Sequence, residues 1–137
     1  MGDIRRDLLR TGDGIAPMIV RVVAGIVLVS FSLGKFTHHA AEVGAFERYG
    51  IPFADATVYL VGVLELAGGL MLILGLGTRV AALALALNMA GAIASAGRID
   101  GGIVHLGLAP ALLAAMLYLL WAGAGARSID RAVAVGA

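Results

Sequence analysis

Apolar residues run along this chain in four long blocks, and the polar positions fall mostly between them. The blocks run from about Ile15 to Gly34, Ala56 to Gly77, Arg79 to Ala96, and Ile103 to Gly123. Each holds about 18–22 residues, or ~27–33 Å as helix, which matches the hydrocarbon thickness of a bilayer. Gly75-Leu76-Gly77-Thr78-Arg79 parts the second block from the third, and Ala96-Gly97-Arg98-Ile99-Asp100-Gly101-Gly102 parts the third from the fourth. Both are tight turns, so neighbouring helices run antiparallel. The third block is alanine-rich and the shortest, and its packing in a bundle is what lets it span. The pattern predicts an all-α fold: an antiparallel four-helix transmembrane bundle, residues 15–123, with an N-tail (1–14) and a C-tail (124–137).

The connection between the first two blocks is too long for a turn. Phe36, Ala40, Val43 and Phe46 recur at helical spacing, with His39, Glu42 and Glu47 between them. That amphipathic pattern predicts a short interfacial helix within a long first extramembrane loop. Tyr49-Gly50-Ile51-Pro52-Phe53 then turns the chain, because Pro52 cannot extend a helix. The helix reads either as a lid over the outer mouth of the bundle or as a plain covering loop.

Composition supports the membrane reading. Of 137 residues, 61% are hydrophobic and 14% charged, and mean hydropathy is +0.98. Soluble domains average roughly 45–50% apolar and about 25% charged, and so short a chain has no core large enough to hide the excess. A net charge of +1 gives no basic field for nucleic acid. The absence of cysteine removes disulfides, thiolate metal sites and dithiol chemistry within the chain. Twenty glycines suit close helix approach in lipid. Gly62, Gly69 and Gly91 would serve either inside the bundle or on a face between copies of the chain, which makes a homo-oligomer a candidate assembly.

Basic residues set the expected orientation. Arg5, Arg6, Arg10, Arg79, Arg127 and Arg131 fall on one side, and Lys35, Arg48 and Arg98 on the other. Six against three places both termini in the cytoplasm. The run Arg5-Arg6-Asp7-Leu8-Leu9-Arg10 has a twin-arginine look. It reads as a basic collar before an uncleaved first span, since no small-residue cleavage site follows.

Two charges sit inside the apolar blocks. Glu65 has no charged neighbour in sequence between Asp55 and Arg79, and Arg21 interrupts the first block. An ionisable group at such depth is costly and marks a working or paired site. At 100° per residue each span carries a small or polar stripe. Arg21, Gly25, Ser32 and Lys35 share one on the first, and Gly62, Glu65 and Gly69 on the second. Ala84, Asn88, Gly91, Ala92 and Ser95 share one on the third, and His105, Ala109, Leu112 and Met116 on the fourth. Counted from the cytoplasmic ends, Arg21 lies ~9 Å deep, Asn88 ~14 Å and Glu65 ~18 Å. The expectation is an Arg21–Glu65 ion pair bridged by Asn88, forming a buried polar centre. It either neutralises itself and fixes helix register, or binds a ligand headgroup or carries a proton.

A second polar set, Lys35, His39 and His105 with His38, Glu42 and Glu47 near, is expected at the outer mouth. Adjacent His38 and His39 point ~100° apart on a helix, so no metal site is expected. His105 is either a proton donor to a ligand or a hydrogen-bonding cap. Pro110 inside the fourth span removes a backbone hydrogen bond and predicts a kink. Tyr118 and Trp121 mark an interfacial aromatic belt. No phosphate loop, nucleophile elbow or haem ligand pair occurs, so the sequence shows no catalytic constellation.

The chain resembles the DoxX family of small membrane proteins from about Arg21 to Tyr118. The resemblance rests on Arg21, on Gly34-Lys35, on Tyr49-Gly50-Ile51-Pro52, on Val63-Leu64-Glu65-Leu66-Ala67-Gly68-Gly69 and on Leu74-Gly75-Leu76-Gly77-Thr78-Arg79. It implies a four-helix protein of the bacterial inner membrane linked to redox physiology. Related small subunits pass electrons from thiosulfate to quinone, and others associate with soluble oxidoreductases. The expectation is therefore a membrane subunit that supports a redox process beside partner oxidoreductases, with a quinone or lipid headgroup between its helices and no built-in cofactor. The alternatives are a structural scaffold without a ligand, and a small-solute or proton transporter using Glu65.

Overall fold

A computed structural model of the chain describes Ile4 and residues 13–136. Arg5, Arg6 and Arg10 of the expected basic collar lie outside the described residues.

Four helices are long and apolar enough to cross a membrane. The first, α1, is Ile15–Thr37. Pro17 sits in its first turn, where a missing N–H costs nothing. A bend at His38 leads into α2, His39–Arg48, a helix with no buried residue, at the place of the expected interfacial helix. Gly50, at φ +72°, and Pro52 turn the chain into α3, Ala54–Leu74. Gly75 ends α3 at φ +67°. Its N–H reaches Leu72 O and the Leu76 N–H reaches Met71 O, which is a Schellman stop that favours glycine.

Helix α4 is Thr78–Ala94 and continues, after a break at Ser95, into the single turn α5, Ala96–Ile99. The fourth span opens with a π-helical turn, Val104–Leu108, and proceeds as α6, Ala109–Ala122. The predicted disturbance at Pro110 thus takes the form of a π turn just before it. The Ala109 N–H reaches back five residues to Val104 O, which absorbs the lost hydrogen bond and locally widens the helix. A last helix, α7, is Ile129–Gly136.

Helix α1 packs chiefly on α3, and α4 on α6, with α3 against α4 and α1 against α6 closing the ring. The α1–α3 seam is set by two glycines. A Cβ on Gly25 would fall 2.6 Å from Gly69 O, and one on Gly69 would fall 3.0 Å from Gly25 O. Small residues are what let backbones meet this closely in lipid. The core gathers Leu28, Leu72, Leu85, Met116 and Leu119, with Ala82 between them. Leu60, Val63, Leu70, Leu83 and Leu117 point outward as a lipid face.

The expected inward stripe on α4 is displaced. Thr78, Ala81, Ala82, Leu85, Ala86 and Met89 are its buried residues, whereas Gly91 is exposed and Asn88 half-buried. Alanines let α4 press on α6, and that contact rotates the polar stripe toward the gap beside α3.

Both described chain ends lie at one end of the bundle, where the Ala126 N–H bonds Gly14 O. We call this the tail end, and the opposite end, covered by α2, the lid end.

Candidate functional site

The register of α1 against α3 decides where each buried charge goes. Arg21 is one turn toward the tail end from the Gly25–Gly69 contact, and Glu65 is one turn toward the lid end from it. Side chains on a helix also lean toward its N-terminus. Arg21 therefore leans to the tail end. Lys35 leans down from the lid end, and Glu65, on the antiparallel α3, leans up toward it.

The expected Arg21–Glu65 pair is accordingly not formed. Lys35 Nζ lies 2.9 Å from Glu65 Oε2, and Asn88 Nδ2 donates to Glu65 Oε1 at 3.0 Å. The bridging role of Asn88 is present, but the cation it serves is Lys35. Lys35 approaches off the hydrogen-bonding direction, and Oε2 accepts no hydrogen bond among the described residues. The carboxylate thus retains acceptor capacity, and the ammonium, with three donors, retains most of its own.

Arg21 is occupied elsewhere. Its Nε donates to Ala124 O, its Nη1 to Leu72 O and Ile73 O, and its Nη2 to Ala126 O and Arg127 O. All five guanidinium donors are matched to backbone carbonyls. Two of those carbonyls lie in the last turn of α3, where the helix ladder runs out of donors and Leu72 O has the Gly75 N–H as well. Beside this clasp, Asp130 accepts from the Gly77 and Thr78 N–H groups at 2.7 and 2.8 Å and caps α4. Arg21 and Asp130 thus bind the segment after α6 under the tail end of the bundle.

A cavity of about 580 Å³ fills the lid half. Lys35, Glu65 and Asn88 form its polar patch, and His105 lines it from the fourth span. Leu28, Met89 and Leu112 are among its apolar walls. Helix α2 closes it from above with Glu42, Ala45 and Phe46, followed by Tyr49 and Ile51. A mostly apolar chamber of this size with a few convergent polar groups has the form of a small-molecule site.

Two contacts hold the lid. At its start, His39 Nε2 lies 2.8 Å from Asp55 Oδ1, and its ring stacks on Tyr59 at 3.8 Å. The Asp55 bond is the chief reason the His39 pKa is raised. At its end, the Tyr49 hydroxyl donates to Asp100 Oδ2 at 2.5 Å, and Arg48 Nη2 donates to the same oxygen at 3.2 Å. Tyr49 also meets the His105 ring edge-on at 6.0 Å. Burial, then Asp100, raises the Tyr49 pKa, while the Tyr49 hydrogen bond holds Asp100 below the usual carboxylate range.

The structure therefore brings Lys35, Glu65, Asn88 and His105 to one chamber. It leaves Arg21 at the tail end and His39 in the lid hinge, outside the cavity lining. Sequence reasoning missed the Lys35–Glu65 pairing, although the lean of side chains on antiparallel helices carries that signal. It also missed the Tyr49–Asp100 latch, whose partners are 51 positions apart with nothing local to link them.

Four spans around an internal chamber, with a buried acid–base pair in its wall, define a small multi-pass membrane protein. The chain belongs to the DoxX family, whose profile matches residues 16–98. It is similar to the "Uncharacterized membrane protein Rv3486" of Mycobacterium tuberculosis, with 36% identity over 126 residues covering 82% of this chain and 77% of the relative. It is also similar to the "Putative oxidoreductase CatD" of Bacillus subtilis, with 33% identity over 79 residues covering 58% of each. No solved structure matches the chain significantly.

Proposed function

We propose that this chain is a membrane subunit that holds a quinone-like headgroup in the lid-half chamber, in support of a redox process run with partner oxidoreductases. The observation that carries the reading is the Lys35–Glu65–Asn88 patch set in a mostly apolar cavity of about 580 Å³. A quinone ring is flat and apolar, with carbonyl acceptors on opposite edges. Lys35 supplies donors to one carbonyl, and a ring N–H of His105 supplies one toward the other. Kinship with a protein named as an oxidoreductase favours a redox setting. The chain carries no cysteine, so the electrons belong to the partner. We place the protein in the bacterial inner membrane with the tail end in the cytoplasm, on the basic bias of the tails and the α3–α4 turn.

The test is quantitation of quinone retained by the protein purified in native lipid, with mass spectrometry of co-purifying proteins. Quinone near one per chain, reduced by Lys35→Met without loss of fold, supports the reading. Wild-type protein free of quinone, and no shift in melting on adding it, leaves the scaffold as the better account.

A further inference from the structure

The chamber is covered by α2 at the lid end, and part of its apolar lining is exposed on the flanks of the bundle. On the water side α2 lies across it, fastened at Asp55 and Asp100. On the flank between α3 and α4 the helices press together toward the tail end, where Gly68 meets Leu85. A Cβ on Gly68 would fall 2.9 Å from Leu85 Cδ1, and one α4 turn further toward the lid Asn88 reaches Glu65. One turn further toward the lid, Gly91 and Val61 both line the chamber. Gly91 and Leu87 line the chamber and are also exposed on the outer surface, Leu87 to 68%. A Cβ on Gly91 would meet nothing within 4 Å. Most other glycines of the spans press on a neighbour, whereas this one borders open space.

We infer that the ligand reaches the chamber sideways from the bilayer, between α3 and α4 past Gly91, and is therefore a lipid-borne molecule whose apolar tail lies in this gap. The inference deepens the headgroup reading and relies on it only for the nature of the head. A tailed molecule leaves its chain among Val61, Leu87 and the lipid while its head meets Lys35 and Glu65. This access avoids the cost of drawing an apolar tail through water. Gly91 is the residue that keeps the gap wide. A Cβ there meets nothing within 4 Å, so a leucine enters the passage from an unobstructed position.

The probe is a phospholipid bearing a photoactivatable diazirine on the acyl carbons next to its headgroup, incorporated in nanodiscs with the full chain, followed by peptide mass spectrometry. The expected result is adducts on Leu28, Met89 and Leu112, which are buried against the chamber, as well as on the lipid-facing Leu60 and Val63. Gly91→Leu should lower the chamber adducts by about 10-fold or more, because forcing a chain past an occupied gap carries an overpacking penalty. Adducts on Leu60 and Val63 should not change, which reports an intact bundle, and Gly91→Ala should behave nearly as wild type. Wild-type adducts confined to Leu60 and Val63 would overturn the inference, and so would chamber adducts that survive Gly91→Leu. A parallel sample with long-tailed quinone separates the two readings. Chamber labelling that quinone does not suppress keeps the lateral route and rejects the quinone head.

Discussion

Removing Lys35 and Glu65 one at a time and then together tests whether the ion pair is formed. At ~4 Å and an effective dielectric of ~20 two unit charges attract by about 4 kcal/mol, but each ion gives up several kcal/mol of hydration to be there. Glu65 and Lys35 side chains are 7% and 12% exposed, so both penalties are nearly complete. Breaking one partner of a buried pair costs about 3–5 kcal/mol. The value here should fall lower, because the lid-end ammonium can turn to water and Asn88 remains on the carboxylate. Lys35→Met and Glu65→Met should each cost about 2 kcal/mol. The double variant removes both charges at similar volume and leaves Asn88 without its acceptor, for a net loss of about 1 kcal/mol. The cycle should therefore show a coupling of about 3 kcal/mol, measured by denaturing titration in mixed micelles. The same cycle on Arg21 and Glu65 should show coupling under about 0.5 kcal/mol, because separated sites add. Additive losses for Lys35 and Glu65, or strong coupling of Glu65 to Arg21, would refute the assigned pairing.

Three further outcomes follow from the geometry. Arg21→Met removes a donor from each of five carbonyls and should cost at least about 3 kcal/mol, with proteolysis after Ala122 rising as the tail end opens. Gly25→Ala drives a Cβ to within 2.6 Å of a backbone oxygen, so α1 and α3 must separate; the expected loss is about 1–3 kcal/mol, while Gly91→Ala should gain up to about 1 kcal/mol from helix propensity. The lid should loosen unevenly with pH. The raised His39 pKa means its bond to Asp55 contributes fully below ~6.5 and is lost as pH rises through the higher folded value. The depressed Asp100 pKa and raised Tyr49 pKa keep the latch in force from below the ordinary carboxylate value to above the ordinary phenol value. Hydrogen exchange, corrected for intrinsic rate, should therefore rise at residues 39–42 between pH 6 and 9 but not at 46–49, and Asp55→Asn should abolish the change.

The sequence by itself determined the medium and the frame. Apolar blocks of bilayer length, parted by glycine turns, leave a bundle of four spans as the arrangement that satisfies every backbone group in lipid. The amphipathic spacing of Phe36, Ala40, Val43 and Phe46 gave away α2, and the expense of a charge in lipid singled out Glu65 and Arg21. What those charges touch was decided by the tertiary structure. The Gly25–Gly69 contact sets α1 against α3 so that the side chains of Lys35 and Glu65 lean together while Arg21 leans away to the carbonyls that end α3. The latch of Tyr49 on Asp100 and the open gap at Gly91 belong to the same category. Helix periodicity fixes which residues share a face. Only the distance and register between helices determine which faces meet, and where they stand apart.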